Sequence, residues 1–298
     1  MKKVLITGID GFTARYLAKA LEQQGLEVVG LSSVLDNPGM GVFKCDLLDN
    51  VRLNSLVKEI KPDYVAHLAA ITFVGHSNNE DFYRVNVIGT MNLLEALCQP
   101  GLSLSKVLVA SSANIYGTPN VEVIDEAMLP APVNHYATSK LAMECMVRTM
   151  FSKLPIVITR PFNYTGFGQN EQFLIPKIIG HFKRGEKVIE LGNLDVSRDF
   201  SDVRDVVASY VALLMSKAES TVVNICSGRA TSLREIITKA EEIAGYDIEV
   251  RVNPAFVRAN EIARLRGDNR YLKQLIGFSA EIPLEKTLRW MYEGKRNG

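Results

Sequence analysis

Two side chains of types suited to proton transfer are separated by three residues, as Tyr136-x-x-x-Lys140. On a helix, this i, i+4 spacing places both side chains on one face. A tyrosine has a reference pKa of about 10, too high for easy proton exchange near neutrality. Because an ammonium one turn away favours the phenolate, we expect Lys140 to lower the pKa of Tyr136. Upstream, Ser111 and Ser112 follow an apolar run, and a serine there would hydrogen-bond a substrate oxygen beside the tyrosine.

A second chemical signal is the glycine turn that follows the first apolar run, with the spacing Gly-x-x-Gly-x-x-Ala from Gly8 to Ala14. Glycines between a strand and a helix allow close backbone approach to a pyrophosphate, which the helix N-terminus then stabilises. The candidate cofactor-binding residues are Gly8, Asp10, Gly11 and Phe12. Asp10 is interpreted as a residue of the helix start, since its carboxylate would repel phosphate. The alternative is an ordinary strand–turn–helix.

The end of the second predicted strand bears on which dinucleotide binds. NAD-binding units usually carry an acidic residue there for the ribose hydroxyls. This chain has Ser32 and Ser33 instead, with no acid until Asp36, and Arg15 could pair with a 2′-phosphate. NADP(H) is therefore the preferred cofactor, and NAD(H) stays open. Asp46 either reaches the adenine edge or forms a turn.

These residues require an alternation of strands and helices to position them. Near-continuous apolar runs predict strands, and segments of helical periodicity predict helices between them. The predicted strands are 3–7, 26–31, 64–68, 106–110 and 156–160, and the predicted helices are 12–24, 51–60, 83–97, 136–151, 203–215, 233–244 and 284–292. This alternation predicts an α/β fold with a doubly wound parallel sheet.

The pattern changes after Pro161, where glycines punctuate shorter segments. We therefore predict a dinucleotide-binding domain over residues 1–165, to which 196–225 return. A smaller C-terminal α/β substrate-binding region is predicted over residues 166–298.

Composition excludes several classes of protein. The 298 residues carry a formal net charge of +1, so the chain lacks the excess of positive charge that binds nucleic-acid phosphates. No apolar run reaches the roughly 20 residues of a membrane span, and the N-terminal one is too short for a signal peptide. Four widely spaced cysteines predict small buried apolar side chains, with neither a metal site nor disulfides. A reducing cytoplasm is the expected location.

The chain resembles the extended short-chain dehydrogenase/reductase family, whose members act largely on nucleotide sugars. Beside the glycine turn and Tyr-x-x-x-Lys, four segments carry the resemblance: 67–70 (His-Leu-Ala-Ala), 86–90 (Asn-Val-Ile-Gly-Thr), 160–166 (Arg-Pro-Phe-Asn-x-x-Gly) and 198–203 (Arg-Asp-Phe-x-x-Val). It implies a Rossmann fold and makes Ser112, rather than Ser111, the catalytic serine with Tyr136 and Lys140. It also implies cofactor contacts at Leu47, Leu68, Ala69, Ala70, Pro161 and Phe162.

Within the family, the chain most resembles GDP-4-keto-6-deoxymannose reductases, through segments 160–169 and 195–200 and an arginine-rich run from Arg258 to Arg266. By this resemblance Asn163, Arg198 and Arg258 hold the sugar's diphosphate. The candidate substrate-binding residues are Thr72, Asn114, Asn163, Phe173, Lys177, Arg198, Arg258 and Glu261. The resemblance also implies a homodimer, formed by packing the helices 83–97 and 136–151 into a four-helix bundle, and a role in surface-polysaccharide sugar synthesis.

Residues that differ from other family members narrow the expected reaction. Sugar 4,6-dehydratases have an Asp-Glu pair after the strand-end serine or threonine, where this chain has Ala113 and Asn114. Fucose-synthase-type epimerase/reductases have a cysteine where Asn114 stands. The expected reaction is therefore NADPH-dependent reduction of the C4 keto group of a GDP-4-keto-6-deoxyhexose. The alternatives are a 4-epimerase with tightly bound NAD, a reductase of dTDP or UDP sugars, and a non-enzymatic dinucleotide sensor.

Overall fold

A seven-stranded parallel sheet forms the centre of the protein, in the strand order β11-β7-β5-β4-β1-β2-β3. The computed structural model describes residues 1–35, 39–254, 264–277 and 281–294. The strands are β1 Lys3–Thr7, β2 Glu27–Ser32, β3 Val42–Lys44, β4 Tyr64–His67, β5 Lys106–Ala110, β6 Val123–Ile124, β7 Ile156–Pro161, β8 Asn163–Thr165, β9 Val188–Leu191, β10 Ser197–Asp202, β11 Thr221–Ile225, β12 Ala230–Ser232, β13 Glu249–Val252 and β14 Arg264–Gly267.

Helices cover both faces of this sheet. They are α1 Phe12–Gln23, α2 Asn50–Ile60, α3 Asn79–Tyr83, α4 Thr90–Leu97, α5 His135–Arg148, α6 Leu174–Lys183, α7 Val203–Met215, α8 Leu233–Ala244, α9 Arg270–Ile276 and α10 Leu284–Glu293. One apolar cluster packs α2, α4 and α5 on one face, and a second packs α1 and α7 on the other. Because both faces are buried, the inner strands carry apolar side chains on both sides. The predicted doubly wound sheet is confirmed.

The predicted helix 83–97 is longer in the structure and is not uniform. It begins at Asn79, capped by the Asn78 side chain, and passes through a π-helical segment, Arg84–Gly89, before α4. A π turn holds an extra residue, which shifts the side chains that follow. Buried Asn86 lies within this turn, and its side chain holds the backbone of Ile71.

The sequence pattern did not predict β11 or α6. β11 forms one edge of the central sheet by pairing with β7, from Thr221 opposite Val157 to Ile225 opposite Pro161. The five residues of β11 are too few for periodicity alone to distinguish a strand from another short apolar run. α6 lies between Gly168 and Gly185, two of the glycines that predict shorter segments in this part of the chain.

A second, smaller layer lies on the carboxyl side of the central strands. It contains the sheet β12-β10-β14-β6, with β8 paired to β10, and the two-stranded sheet β13-β9. Helices α6, α8 and α10 bury a third apolar cluster against these strands. β8 directly follows β7 after Phe162, so one chain segment runs from the central sheet into the smaller layer.

The structure bears on three expectations that were drawn from composition, concerning membrane spans, metal sites and cysteines. Among the described helices, none is long and apolar enough to cross a bilayer. Over the same residues, no group of His, Cys, Asp or Glu side chains is arranged to hold a metal ion. Cys45 and Cys226 are buried as expected, but Cys98 and Cys145 are exposed, so the prediction of four buried cysteines is wrong for these two. Both stand on the outer side of helical segments whose apolar neighbours supply the buried face.

Candidate active site

The glycine turn after β1 has the shape that a pyrophosphate requires. Gly8 has φ +69°, and a Cβ there would lie 2.8 Å from the Cα of Ala69. The turn closes through the Gly11 amide, which donates to the Gly8 carbonyl at 2.9 Å. Helix α1 starts after Gly11 with no side-chain cap, so its first amides remain available to an anion. These features fit a dinucleotide, with Phe12 at the first helical position.

Ser112, Tyr136 and Lys140 come together at the carboxyl end of β5. The Asn134 side chain caps α5 by accepting from the Ala137 amide at 2.8 Å, which sets where Tyr136 and Lys140 lie. The Lys140 ammonium donates to the Ala110 carbonyl at 2.8 Å. Ser112 lies beside Tyr136, and all three of the predicted catalytic side chains are buried.

The electrostatics of Tyr136 differ from the sequence-based expectation. Burial raises the pKa of Tyr136 to about 12, against the lowering effect of its hydrogen bond with Ser112. Burial also lowers the pKa of Lys140 to about 8, although the negative charge of Glu144 opposes this. The expectation that Lys140 brings the pKa of Tyr136 below its usual range is therefore wrong. Desolvation of the phenolate outweighs any attraction, and Ser112 is the neighbour that favours it.

His67 lies at the end of β4 in a hydrogen-bonded chain that fixes its tautomer. The Thr90 hydroxyl donates to the Asn86 carbonyl at 2.7 Å, so it accepts from His67 Nε2 at 2.7 Å. His67 Nδ1 then accepts from the Thr7 hydroxyl at 2.7 Å, and Thr7 accepts from the Ala69 amide. Burial and the charge of Lys140 lower the pKa of His67 to about 3. A neutral histidine thus holds the backbone beside the glycine turn.

The remaining predicted cofactor residues lie at the ends of β2, β3, β4 and β7, except Arg15, which lies in the first turn of α1. Arg15 and Asp46 are exposed, Leu47 is buried, and Leu68, Ala69, Ala70 and Pro161 are half-buried. Phe162 is buried against Tyr116, with ring centroids 6.3 Å apart.

Two of the predicted cofactor side chains make local turns. The Ser32 hydroxyl accepts from the amides of Val34 and Leu35, each at 3.2 Å. The Asp46 carboxylate accepts from the Leu48 amide at 2.9 Å, which is the turn-forming alternative for this residue. The Ser32 hydroxyl thus accepts within its own chain, so any hydrogen bond it makes to a cofactor would be donated by its O–H.

The predicted substrate residues form two groups. Asn163, Asn114 and Thr72 are exposed, and Asn163 donates to the Asp199 carbonyl at 3.3 Å. Asn114 is the second residue of the short 3₁₀ helix Ala113–Tyr116, and its amide donates to the Ser112 hydroxyl that caps this helix. Half-buried Phe173 caps α6, and the Lys177 ammonium donates to the Glu190 carbonyl at 3.0 Å. The Arg198 guanidinium donates to the Ser197 carbonyl. Arg258 and Glu261 lie outside the described residues.

The sequence did not single out two buried acids of this region. Asp199, quoted only as part of a motif, accepts from the Ser227 and Gly228 amides at 2.9 Å and from the Gly267 amide at 3.2 Å. Glu144 pairs with Arg160 inside the protein. The available signal for Glu144 was its spacing, since it continues the i, i+4 series of Tyr136 and Lys140.

Residues 5–291 match a protein family described as GDP-mannose 4,6 dehydratase. The chain belongs to this family. Membership of the GDP-mannose dehydratase family confirms the resemblance to extended short-chain dehydrogenase/reductases, and with it an NAD(P)-dependent enzyme of the nucleotide-sugar type.

Among curated relatives in the family, the chain is 37% identical to a GDP-6-deoxy-D-talose 4-dehydrogenase of Aggregatibacter actinomycetemcomitans, covering 92% of this chain and 91% of the relative. It is 34% identical to a GDP-6-deoxy-D-mannose reductase of Pseudomonas aeruginosa, covering 97% and 95%. Among solved structures, the Pseudomonas aeruginosa RMD–NADPH complex is similar, with a TM-score of 0.84, 32% identity and 98% of each chain covered.

Proposed function

We propose that the protein reduces the C4 keto group of a GDP-linked 4-keto-6-deoxyhexose, with NADPH as the reductant. The observation that carries this proposal is the buried group of Ser112, Tyr136 and Lys140 at the carboxyl end of β5, two strands along the sheet from β1 and its glycine turn. The names of the two curated relatives support it, because both specify GDP-linked 6-deoxyhexoses and redox chemistry.

The protein's own groups supply the proton and the orientation. NADPH supplies the hydride that reduces C4. Tyr136, whose pKa is raised to about 12, keeps its proton at neutral pH and donates it to the oxygen on C4. Ser112 hydrogen-bonds the same oxygen and orients it, and it stabilises the phenolate that Tyr136 becomes. Lys140 supplies positive charge beneath the phenolate and a donor for the nicotinamide ribose.

The side chains after Ser112 support reduction over dehydration. Loss of water from a sugar needs one group to remove a proton and another to deliver one to the leaving hydroxyl. Ala113 and Asn114 occupy the first two positions of the 3₁₀ helix beside the site, and neither side chain exchanges protons near neutral pH. The proposed reaction therefore removes no hydroxyl group from the sugar.

The configuration produced at C4 is a separate part of the proposal. 6-Deoxytalose and 6-deoxymannose differ only at this carbon, so the names of the relatives correspond to hydride delivery on opposite faces of one ketone. The chain is more similar to the talose enzyme, at 37% against 34% identity. We therefore propose GDP-6-deoxy-D-talose as the product.

NADPH is preferred over NADH in this proposal because no described acidic side chain follows β2 at the ribose position, where Ser32 and Ser33 stand. Exposed Arg15, one turn into α1, is available to a 2′-phosphate. The Pseudomonas aeruginosa RMD structure, which contains NADPH, supports the same choice.

The deciding experiment follows NADPH absorbance with purified protein and freshly prepared GDP-4-keto-6-deoxymannose. Parallel reactions contain NADH, or the dTDP or UDP ketosugar. Stoichiometric loss of NADPH with the GDP sugar alone is the expected result, and proton NMR of the product then distinguishes the talo from the manno configuration. Absence of turnover in every reaction, together with NAD released on denaturation, would instead indicate a 4-epimerase.

We also propose a homodimer formed through α3, α4 and α5. Ile88, in the π-helical segment, is 42% exposed, and Tyr83 contacts His135 on the same outer surface at 3.0 Å. Analytical ultracentrifugation should show a dimer that Ile88→Arg converts to monomer. The matched substitution Val51→Arg, at an exposed apolar side chain of α2, should leave the dimer intact. A wild-type monomer at micromolar concentration would refute this part.

A further inference from the structure

A buried ion pair stands one helical turn beyond Lys140. The Glu144 carboxylate accepts from Arg160 Nη2 at 2.7 Å and from Nε at 3.0 Å, in a two-pronged geometry. The Glu144 side chain is 1% exposed and the Arg160 side chain is 3% exposed. A pair so fully removed from water is costly to desolvate and seldom stabilises a fold more than apolar side chains of similar volume would. Its presence here therefore calls for a role beyond stability.

Glu144 acts on the charge of Lys140. Tyr136, Lys140 and Glu144 occupy successive turns of α5, so their side chains follow one face of the helix. The carboxylate raises the pKa of Lys140, against the larger lowering by burial. His67 on β4, which burial keeps neutral, is also close to this ammonium, and Arg160 on β7 pairs with Glu144 itself. Glu144 is thus the one anion beside Lys140 within the described residues.

Arg160 joins two segments of the candidate active site. Besides holding Glu144, its Nη1 donates to the Tyr116 hydroxyl at 2.8 Å, and its guanidinium lies over the Tyr116 ring. The Tyr116 hydroxyl in turn donates to the Asn224 side chain at 2.8 Å. Tyr116 ends the 3₁₀ helix that Ser112 caps, so one guanidinium connects the Ser112 segment with α5.

We propose that Glu144 and Arg160 are positioning residues for the reaction, with the Glu144 carboxylate keeping the buried Lys140 ammonium charged. Arg160 holds that carboxylate in place and ties it to the segment that carries Ser112. This inference rests on the proposed function, since it assigns Lys140 a charge that the reaction needs. Without Glu144, Arg160 would lose its buried partner and Lys140 would lose the anion one helical turn away.

The test compares Glu144→Gln, which removes the charge but keeps the shape, with Tyr116→Phe, which removes the other hydrogen bond of Arg160 and no charge. The pH dependence of kcat is measured for each variant with NADPH and the ketosugar. Loss of the carboxylate favours neutral Lys140, so Glu144→Gln should shift the alkaline fall in kcat downward by about one pH unit or more. Tyr116→Phe should leave its midpoint unchanged, even if kcat and Tm decrease.

A second readout does not require turnover. Acetic anhydride labels neutral lysine, and peptide mass spectrometry reports the labelling of Lys140 across the same pH range in the full-length protein. The labelling midpoint should shift downward in Glu144→Gln by the same amount. If the wild type reduces no ketosugar, the proposed function fails, while this shift still decides whether Glu144 controls Lys140.

A third variant covers the case in which Glu144→Gln does not fold because Arg160 is left unpaired. Glu144→Met combined with Arg160→Met removes both buried charges and leaves no unpaired ion. The midpoint of Lys140 labelling should again shift downward, because Glu144, not Arg160, is the charge that acts on this lysine. Unchanged midpoints in folded variants lacking Glu144, with only kcat and Tm reduced, would overturn the inference and leave a purely structural pair.

Discussion

Tyr136 is buried in a way that suits a proton donor. Its side chain is 6% exposed, and burial keeps the hydroxyl protonated well above neutral pH. A reduction needs that proton at the moment negative charge develops on the substrate oxygen, and it needs Ser112 and Lys140 nearby to accommodate the phenolate left behind. In the proposed reaction the three side chains work as a unit, so removing one is expected to remove most of the benefit of the other two.

Substitution of Tyr136 by Phe should therefore lower kcat by about 10²- to 10⁴-fold, because the proton donor is lost while the ring's packing is kept. NADPH affinity, measured by fluorescence titration, should stay within about threefold, since the cofactor turn is unaffected. The matched control is Tyr246→Phe, which removes a hydroxyl bonded to the Phe182 and Glu186 carbonyls away from the site. Near-full activity of Tyr136→Phe would falsify the assignment.

His67 should make the protein acid-sensitive. Its pKa is about 3 in the folded protein, against about 6.5 in an unfolded chain, so the unfolded state binds more protons between these values. The stability from neutral His67 is fully present above about pH 6.5 and is lost as the pH falls toward 3. Urea unfolding at several pH values should show His67→Gln with a shallower loss, by about 1.4 kcal/mol per pH unit, than the wild type. Equal slopes would contradict this role.

At the scale of elements, the connection from β1 to α1 combines a backbone conformation with a close approach. Gly8 and Gly25 both have positive φ, at +69° and +75°, but only Gly8 has neighbouring atoms where a Cβ would stand. Gly25 follows α1 and has open space around it. Substituting each glycine in turn therefore separates the cost of a positive φ, which both share, from the steric requirement of the turn at Gly8 alone.

Gly8→Ala should raise the Kd for NADPH by about tenfold or more, because the new methyl group displaces the Ala69 backbone and opens the turn. Gly25→Ala should lower the free energy of unfolding by about 1–2 kcal/mol, the cost of a left-handed alanine, and leave NADPH affinity unchanged. Fluorescence titration and urea unfolding measure the two quantities. Equal effects of both substitutions on Kd would show that the turn's contact with Ala69 is unimportant.

For the molecule as a whole, Asp199 connects the smaller layer to the loop that follows the central sheet. Its buried carboxylate accepts from the amides of Ser227, Gly228 and Gly267 and from the Ser227 hydroxyl. These residues belong to the loop after β11 and to the end of β14. β10 is thereby held against both, which keeps the segment around Arg198 in place.

Replacing Asp199 by Asn should lower the free energy of unfolding by about 1–3 kcal/mol, because one carboxylate oxygen becomes a donor that faces backbone donors. The matched control is Asp195→Asn. Asp195 is 77% exposed and pairs with Arg234 at the surface, so a change within about 0.5 kcal/mol is expected there. Chemical denaturation of both variants provides the measurement, and equal losses would show that Asp199 does not connect the layers.

The sequence by itself determined the chemistry-bearing residues and the alternation that positions them. The glycine turn, Tyr136 with Lys140, and Ser112 are local patterns of residue type and spacing, and the predicted helices 203–215 and 233–244 agree with α7 and α8 at both ends. Local patterns are readable because helix and strand periods repeat within a few residues.

Only the tertiary structure decided which charged side chains pair and how completely the candidate site is removed from water. Arg160 and Glu144 are sixteen residues apart and pair because β7 packs beneath α5. The raised pKa of Tyr136 comes from burial by elements distant in sequence, a property that no spacing encodes. The edge strand β11 was likewise missed, since its place in the sheet depends on pairing with β7 and not on its own five residues.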